Sequence, residues 1–434
     1  MAHGDGAAPA LLALFHHQSP GDLRHIEVLE MTAPRSLPAG TDTQIVVVGG
    51  GLSGTIAATV LGRSGYHVTL IDRYPVFPHE FRVEKIAGDQ IEKMRRLGLL
   101  DRLSASAVAF DEIVNIRRGR VLDRSHAQHY GIFYDDLVNA MRAELPETVR
   151  FITGRVNGLE AGADRQRVSI LGQGDVTARL LVLATGMGDI LKRDLGIGRR
   201  FVHQRQSMTF GFNLRPVGAS AFRHPALTYY GERITDGIDY LSLFPAADVT
   251  RANLFVFREH GDPWVKALRD HPRETLIKTL PGLIKAFGDF EIIDKIESWL
   301  TDITVAENCV RDGAVLIGDA YQTSCPAAGT GVSRLLTDVE RLAVHVPQWL
   351  ASPGMTAAKI ATFYADPVKQ AMDAHGLHLA QFRRSLTIDN DLRWRARRQL
   401  HFSRRRIIYG MDTISPGLVA RLRGLRRPAA ESAT

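Results

Sequence analysis

The chain of 434 residues has only two cysteines, Cys309 and Cys325. Two thiols cannot build a disulfide framework, so a reducing, cytoplasmic setting is expected and the fold must rest on its core. A long purely apolar run is also missing. The uncharged stretch Ile45–Gly62 approaches the length of a bilayer span, but a Gly-x-Gly-x-x-Gly pattern breaks its middle and a charged strand end follows. No complete metal-ligand set appears. His126/His129 and His375/His378 have ligand-like gaps, yet no other residues complete a shell, and all four read as surface or capping residues. No positively charged segment precedes the short apolar "APALLALF", which argues against a secretory signal; residues 1–42 are expected to form a weakly structured extension.

Charge of one sign is scarce except in one place. Of the net +7, the segment Arg383–Arg427 alone supplies +10, from thirteen arginines against three aspartates and no lysine, leaving −3 on the rest. The body is therefore not basic. Trp394, Phe402 and Tyr409 interleave with these arginines. Three readings stand: a solvated helix face, which is the plainest, a patch for anionic partners, and contact with a membrane surface. Nucleic acid is not an expected partner. Over the whole chain the composition is ordinary for a globular protein, 45% apolar and 23% charged, and the length allows two or three domains.

The segment "QIVVVGGGLSGTIAATVLGRSGYHVTLIDR" reads as strand, glycine turn, helix and strand. Gly49, Gly51 and Gly54 give the nucleotide fingerprint, with Leu52 and Ser53 between them, and Asp72 and Arg73 at the next strand end. The first glycine permits the tight turn, the second lets backbone approach a pyrophosphate, and the third lets helix and strand pack closely. The helix N-terminus offers free N–H groups to phosphate, and Asp72 suits ribose hydroxyls. No second such frame appears, so one dinucleotide is expected to be held.

Further along, "GDQIEKMRRLGLLDRL" reads as an amphipathic helix, "DEIVNIRRGRVL" as a hairpin or edge pair, and "TARLLVLATG" as another buried parallel strand. Residues 200–260 alternate and are rich in aromatic and β-branched residues, which predicts an antiparallel sheet. Phe210, Phe212, Tyr229, Tyr240 and Phe244 lie there, as core or as an apolar pocket wall. The expected class is α/β: a Rossmann-like domain with a mostly parallel sheet, an antiparallel-sheet substrate domain, and a helical C-terminal region. The expected units are 43–199 with 301–350, then 200–300, then 351–434.

A second stretch, "AVLIGDAYQTSCPAAGTGVSRLLTDVERLA", ends a strand in Gly318-Asp319 and opens a helix after Pro-Ala-Ala-Gly-Thr-Gly. It resembles the group A FAD monooxygenases, the aromatic hydroxylases of the para-hydroxybenzoate hydroxylase type. The resemblance implies that Asp319 binds the ribityl chain, that Pro326 and Thr330 lie near the flavin ring, and that Gly329 and Gly331 let backbone approach it. In "EFRVEKIAGDQ", Arg82 is similar to the arginine that reaches the pyrophosphate, and in "GRVNGLE", Val156 is similar to the valine beside the adenine. The likeness covers about residues 43–345. It implies an FAD-dependent oxidoreductase that uses NAD(P)H, such as NADPH, and O2. A C4a-hydroperoxyflavin would hydroxylate or epoxidise an apolar, aromatic or isoprenoid-like small molecule, with no catalytic triad. Cys325, beside Pro326, is expected to be a packing residue near the ring.

Three positions depart from that family. Thr185 in "LATGMGD" stands where an Ala-Asp-Gly aspartate is usual, Gln322 where a histidine is common, and Ser333 where an asparagine is common. The flavin site reads as intact while the nicotinamide contacts do not. Either NAD(P)H docks atypically or a separate flavin reductase supplies the electrons. No Trp-x-Trp-x-Ile-Pro segment of the flavin halogenases occurs. Two other readings remain open: a flavoprotein reductase or oxidase acting on a lipid or isoprenoid, and a binding protein that keeps FAD as a relic.

Overall fold

The computed structural model describes residues 42–414, with side chains as far as Met411. The extension expected over residues 1–42 therefore lies outside the described residues except for Asp42, as does the end of the Arg-rich tail. In chain order the elements are β1 (Thr43–Val48), α1 (Leu52–Arg63), β2 (Val68–Asp72), β3 (Val83–Ala87), α2 (Asp89–Arg96), α3 (Leu100–Ser106), β4 (Val108–Arg117), β5 (Arg120–Phe133), α4 (Tyr134–Arg142), β6 (Val149–Thr153), β7 (Val156–Glu160), β8 (Gln166–Ile170) and β9 (Gly174–Leu183). There follow α5 (Ile190–Asp194), β10 (Gly198–Pro216), β11 (Leu227–Tyr230), β12 (Ile238–Ala246), β13 (Val249–Val256), α6 (Pro263–Asp270), α7 (Pro272–Thr279) and α8 (Leu283–Phe287). The last are β14 (Phe290–Ile292), β15 (Glu297–Glu307), β16 (Ala314–Leu316), α9 (Gly331–Leu350), α10 (Ala357–Tyr364), α11 (Pro367–Ile388) and α12 (Leu392–Ile414).

The first sheet runs β6-β2-β1-β9-β8-β7, with β16 also on β9. Its β6, β2, β1, β9 and β16 are parallel, and the β7–β8 hairpin adds antiparallel pairing. All six residues of β1 are buried because both of its faces are covered. Ile45 and Val47 join the core under α1, α4 and α9, while Val46 and Val48 join the core beneath β7 and β8. The uncharged length of Ile45–Gly62 thus comes from a doubly covered strand and a buried helix. No helix among the described residues is long and apolar enough to cross a membrane.

The second sheet runs β14-β10-β13-β12-β11-β4-β5-β3, with β15 also on β10. Only its β11–β4 contact is parallel. One face buries Phe210, Phe212, Tyr229, Leu241 and Leu254 against Leu268, Leu276 and Phe287 of α6–α8. Alternation turns Tyr240, Ser242 and Phe244 of β12 to the opposite face. The sheets do not follow the boundaries read from sequence. Residues 83–133, grouped there with the first unit, give β3, β4 and β5 to the second sheet, because Val114 and Ile116 fill its core. Strand β15 likewise crosses the expected boundary at 300. The single helix expected over "GDQIEKMRRLGLLDRL" is two, parted at Gly98, whose φ of 66° is left-handed.

Candidate active site

The glycines of the first turn answer to different neighbours. A side chain at Gly54 would overlap the carbonyl oxygen of Gly49, so helix and strand cannot close with anything larger. Gly49 has φ 103°, and a Cβ there would sit 2.5 Å from the Ala184 oxygen. At Gly51 the protein imposes no such limit: the nearest atom to an added Cβ is the Tyr134 hydroxyl oxygen at 3.9 Å. Asp72 accepts from the Gly50 N–H at 2.7 Å and the Tyr74 N–H at 2.9 Å, and pairs with Arg142 at 3.2 Å.

The second turn lies against the first. Gly318, at φ 61°, faces Ser53 so closely that a Cβ would overlap its Oγ, across 265 residues of chain. Burial pushes the Asp319 carboxyl up, and the nearby guanidiniums of Arg334 and Arg82 pull it back. Arg82 stacks 3.8 Å over the Tyr134 ring and pairs with Glu80 at 2.5 Å. Gly329 is left-handed (φ 67°) with open space around it, and Gly331 meets only Ser324, at 3.7 Å. Thr330 precedes α9 with no side-chain cap, and its buried hydroxyl has no hydrogen-bond partner among the described residues. The Gly329 carbonyl accepts from Gln90, which also accepts from the Ala87 N–H. The end of β3 is thereby tied to this turn.

A buried ionic network backs the turn. Arg334 donates to Asp373 at 3.0 Å, to the Gln322 carbonyl at 2.6 Å and to Ser324 at 2.9 Å. Lys369 joins Asp338 at 2.7 Å and Asp373 at 3.0 Å, and Asp338 accepts from the Gly318 N–H at 2.8 Å. Arg334, Lys369 and Asp338 are each 1% exposed, so every charge here depends on its partners. Helix α11 thus reaches under the turn through α9.

The sequence model of the family described as FAD binding domain matches residues 42–351 of this chain. The chain belongs to that family, the group A flavoprotein monooxygenases. Kynurenine 3-monooxygenase of Salinispora arenicola (strain CNS-205) is 25% identical over 345 residues, which is 73% of this chain and 76% of that protein. The 3-demethoxyubiquinol 3-hydroxylase of Escherichia coli (strain K12) is 24% identical over 337 residues, 69% and 78% of the two chains. Among solved structures, p-nitrophenol 4-monooxygenase from Pseudomonas putida DLL-E4 shares the fold. Its TM-score is 0.62 at 16% identity, over 88% of this chain and 96% of that one. The protein is therefore an FAD-dependent enzyme of the monooxygenase type, and FAD, NAD(P)H and O2 are the reactants of that class. The residues present fit FAD: backbone at Gly51, Gly329 and Gly331 stands open to a ligand, and the buried Thr185 and Thr330 hydroxyls have no hydrogen-bond partner among the described residues.

In this flavoprotein the fold brings most of the expected residues together and leaves some apart. Gly318, next to Asp319, meets Ser53; Gly51 lies near the Tyr134 hydroxyl; Arg82 covers the Tyr134 ring and acts on Asp319. Leu52 is a core residue, 1% exposed. Val156 is half-buried, two residues beyond Gly154, whose N–H donates to the Asp72 carbonyl at 2.8 Å. Arg73 is exposed over the Tyr74 ring at 5.1 Å and is not drawn into the cluster. Pro326 is exposed, on the turn over β12. Cys325 is a packing residue, 1% exposed with Sγ 3.3 Å from Ser207 Oγ, and burial pushes its thiol up. Of the aromatic residues, Phe210, Phe212 and Tyr229 are core on the far face. Tyr240 donates to the Ala327 carbonyl at 3.1 Å and so faces the turn.

Sequence reasoning passed over Lys85, Tyr134 and the Arg334–Lys369 network. The spacing of Lys369 and Asp373, one helical turn apart, is a usable signal only once α11 is known to be buried. His129 departs from the surface or capping role expected for it. It is 6% exposed, and neither ring nitrogen has a hydrogen-bond partner among the described residues. No group of metal-ligating residues occurs among the described residues.

Proposed function

We propose that FAD spans the two turns and that the enzyme inserts one oxygen atom into an apolar, aromatic or isoprenoid-like small molecule. The observation that carries this reading is the approach of Gly318 to Ser53, which brings two distant fingerprints into contact. The N-terminus of α1 and Arg82 take the pyrophosphate, Asp72 the ribose, Val156 the adenine side and Asp319 the ribityl chain. Pro326, Gly329, Thr330 and Gly331 border the flavin ring. Residues 43–199 and 301–350 then form the cofactor unit and 200–300 the substrate sheet, to which 83–133 contribute strands. Helices from 351 onward brace both.

Bound flavin supplies the redox and oxygen chemistry. The chain's own groups hold and shield it. The N-terminus of α9, with Gly331 at its first position and no acid in its first turn, favours negative charge on the ring edge it faces. Tyr240, Phe255 and Ala327 pack around the turn and exclude water from that side. Thr185 offers a hydroxyl where a carboxylate is usual, so nicotinamide docks differently here or a reductase delivers the electrons.

Purified FAD-loaded protein, given NADPH or NADH, isotopically heavy O2 and a panel of phenols, aromatic acids and isoprenoids, is expected to yield a product with one heavy oxygen atom. Reduction or desaturation of substrate without added oxygen would instead support the reductase or oxidase reading. Activity that appears only with an added flavin reductase would assign the electron source.

Helix α12 favours contact with an anionic lipid surface. Its aromatic residues do not face outward: Trp394 packs on Phe382, and Phe402 on Tyr230. Arg405 is likewise held by Asp123 at 2.5 Å. The outward face instead exposes Leu392 (81%), Leu400 (67%) and Ile407 (61%). Exposed Arg393, Arg397, Arg404 and Arg406 flank that apolar line. An apolar stripe edged with arginine suits the headgroup boundary. The protein is expected to pellet with phosphatidylserine liposomes at low salt. The double substitution Leu400→Glu and Ile407→Glu should reduce the bound fraction several-fold. Equal pelleting by both proteins would remove this reading.

A further inference from the structure

Lys85 is a cation with no ion-pair partner among the described residues. Strand pairing sets Lys85 opposite Gly131 and Ala87 opposite His129, so Lys85 and His129 share one face of β3 and β5. Phe110 of β4 lies opposite His129 and stacks on it at 5.2 Å between ring centroids, and Phe244 stacks on Phe110 at 6.4 Å. A Cβ at Gly131 would overlap the Pro245 carbonyl oxygen, so β5 is pressed onto β12 beneath this group. Lys85 Nζ donates to Ser242 Oγ at 3.2 Å and lies 5.8 Å from the Phe244 ring centroid. Among the described residues no carboxylate stands within ion-pair distance of it. Burial pushes the Lys85 amine down to about 8 and, with Lys85 beside it, the His129 imidazole down to about 4.

The cluster also sits where a substrate of the proposed oxygen transfer belongs. Ser242 follows Tyr240 on the same face of β12, and Tyr240 holds the Ala327 carbonyl of the flavin turn. Gln90 links the other side, from Ala87 to Gly329. A half-buried ammonium held by one hydroxyl, and a buried imidazole with two unused nitrogens, both gain from a ligand that engages them. Aromatic walls select a flat ring.

We propose that Lys85 and His129 form the polar end of the substrate subsite and select an aromatic ring carrying an ionised oxygen, either carboxylate or phenolate. Lys85 meets the charge, His129 supplies a neutral hydrogen-bonding partner, and Phe110 and Phe244 shape the ring slot. This rests on the oxygen-transfer reading for its place beside the flavin, but the charge selection belongs to the chain alone.

Calorimetric titration of FAD-loaded protein with benzoate, benzamide and 4-cyanophenolate tests it. Wild type is expected to bind at least one of the two anions about 10- to 100-fold more tightly than benzamide, the value of a charged hydrogen bond. Preference for benzoate assigns the carboxylate, and preference for the phenol assigns the phenolate. Lys85→Met should erase the preference while FAD content and melting temperature stay unchanged. His129→Phe, which keeps the stack, should weaken the anion and the amide alike. An anion preference that survives in Lys85→Met, or wild type that binds neither anion more tightly than benzamide, would overturn the assignment. Failure to take up FAD would count against the proposed function instead, and the same titrations on flavin-free protein would still read Lys85.

Discussion

Gly51→Ala is expected to weaken FAD binding by about 10- to 100-fold while the flavin-free protein melts as wild type does. The added methyl group meets nothing closer than 3.9 Å in the protein itself. What it obstructs is the pyrophosphate, which must approach backbone that carries no side chain. Gly54→Ala is the control with the opposite signature. Its Cβ would overlap the Gly49 carbonyl oxygen, so strand and helix must part before any ligand arrives. It should cost the flavin-free protein about 1–3 kcal/mol and lower its melting temperature by several degrees. Differential scanning calorimetry without FAD, followed by fluorescence titration with FAD, separates the two. If Gly51→Ala bound FAD as wild type does, the pyrophosphate would lie elsewhere.

Lys369→Met should destabilise the protein by about 3–5 kcal/mol, a melting temperature drop on the order of 10 °C. Lys369 is 1% exposed and is the cation between Asp338 and Asp373. Among the described residues, its removal leaves Asp338 without an ion-pair partner and leaves Asp373 to Arg334 alone. Methionine fills most of the volume, so the loss reports charge rather than a cavity. FAD affinity should fall as well, because Asp338 holds the Gly318 N–H and Arg334 holds Gln322 and Ser324. Thermal melts and FAD titration of this one variant read both effects. Unchanged melting would show that the network carries little of the stability, and unchanged FAD affinity would uncouple α11 from the turn.

The βαβ unit was legible because its constraints are local: Gly54 must clear Gly49 within one turn, and β1 must be apolar on both faces. The turn at Gly318–Gly331 was legible through its residue order, and the structure closes it onto Ser53. The second sheet was legible as alternating aromatic and β-branched strands, but its membership was not. Nothing local says that β4 runs parallel beside β11, and that pairing moves residues 83–133 to the other sheet. Lys85 and His129 stayed hidden for the same reason. Lys85 carries no motif, and His129 showed only a ligand-like gap to His126 that reads as surface; only the β3–β5 register sets the two on one face. The arginine count was plain in the sequence, yet its division between Arg405 facing Asp123 and Arg404 facing solvent needed the helix phase. The network under the Gly318–Gly331 turn lies partly beyond residue 345, where the resemblance read from the sequence ends, so that resemblance could not point to Lys369.

The most direct test of the account is the electron density of crystals grown with FAD. One FAD per chain is expected, with its pyrophosphate against Gly49–Gly54 and Arg82, its ribityl chain at Asp319, and its ring along Pro326–Gly331 facing Tyr240 and Ser242. A pyrophosphate away from the Gly51 backbone, or a ring that does not reach the Gly329–Gly331 turn, would contradict it.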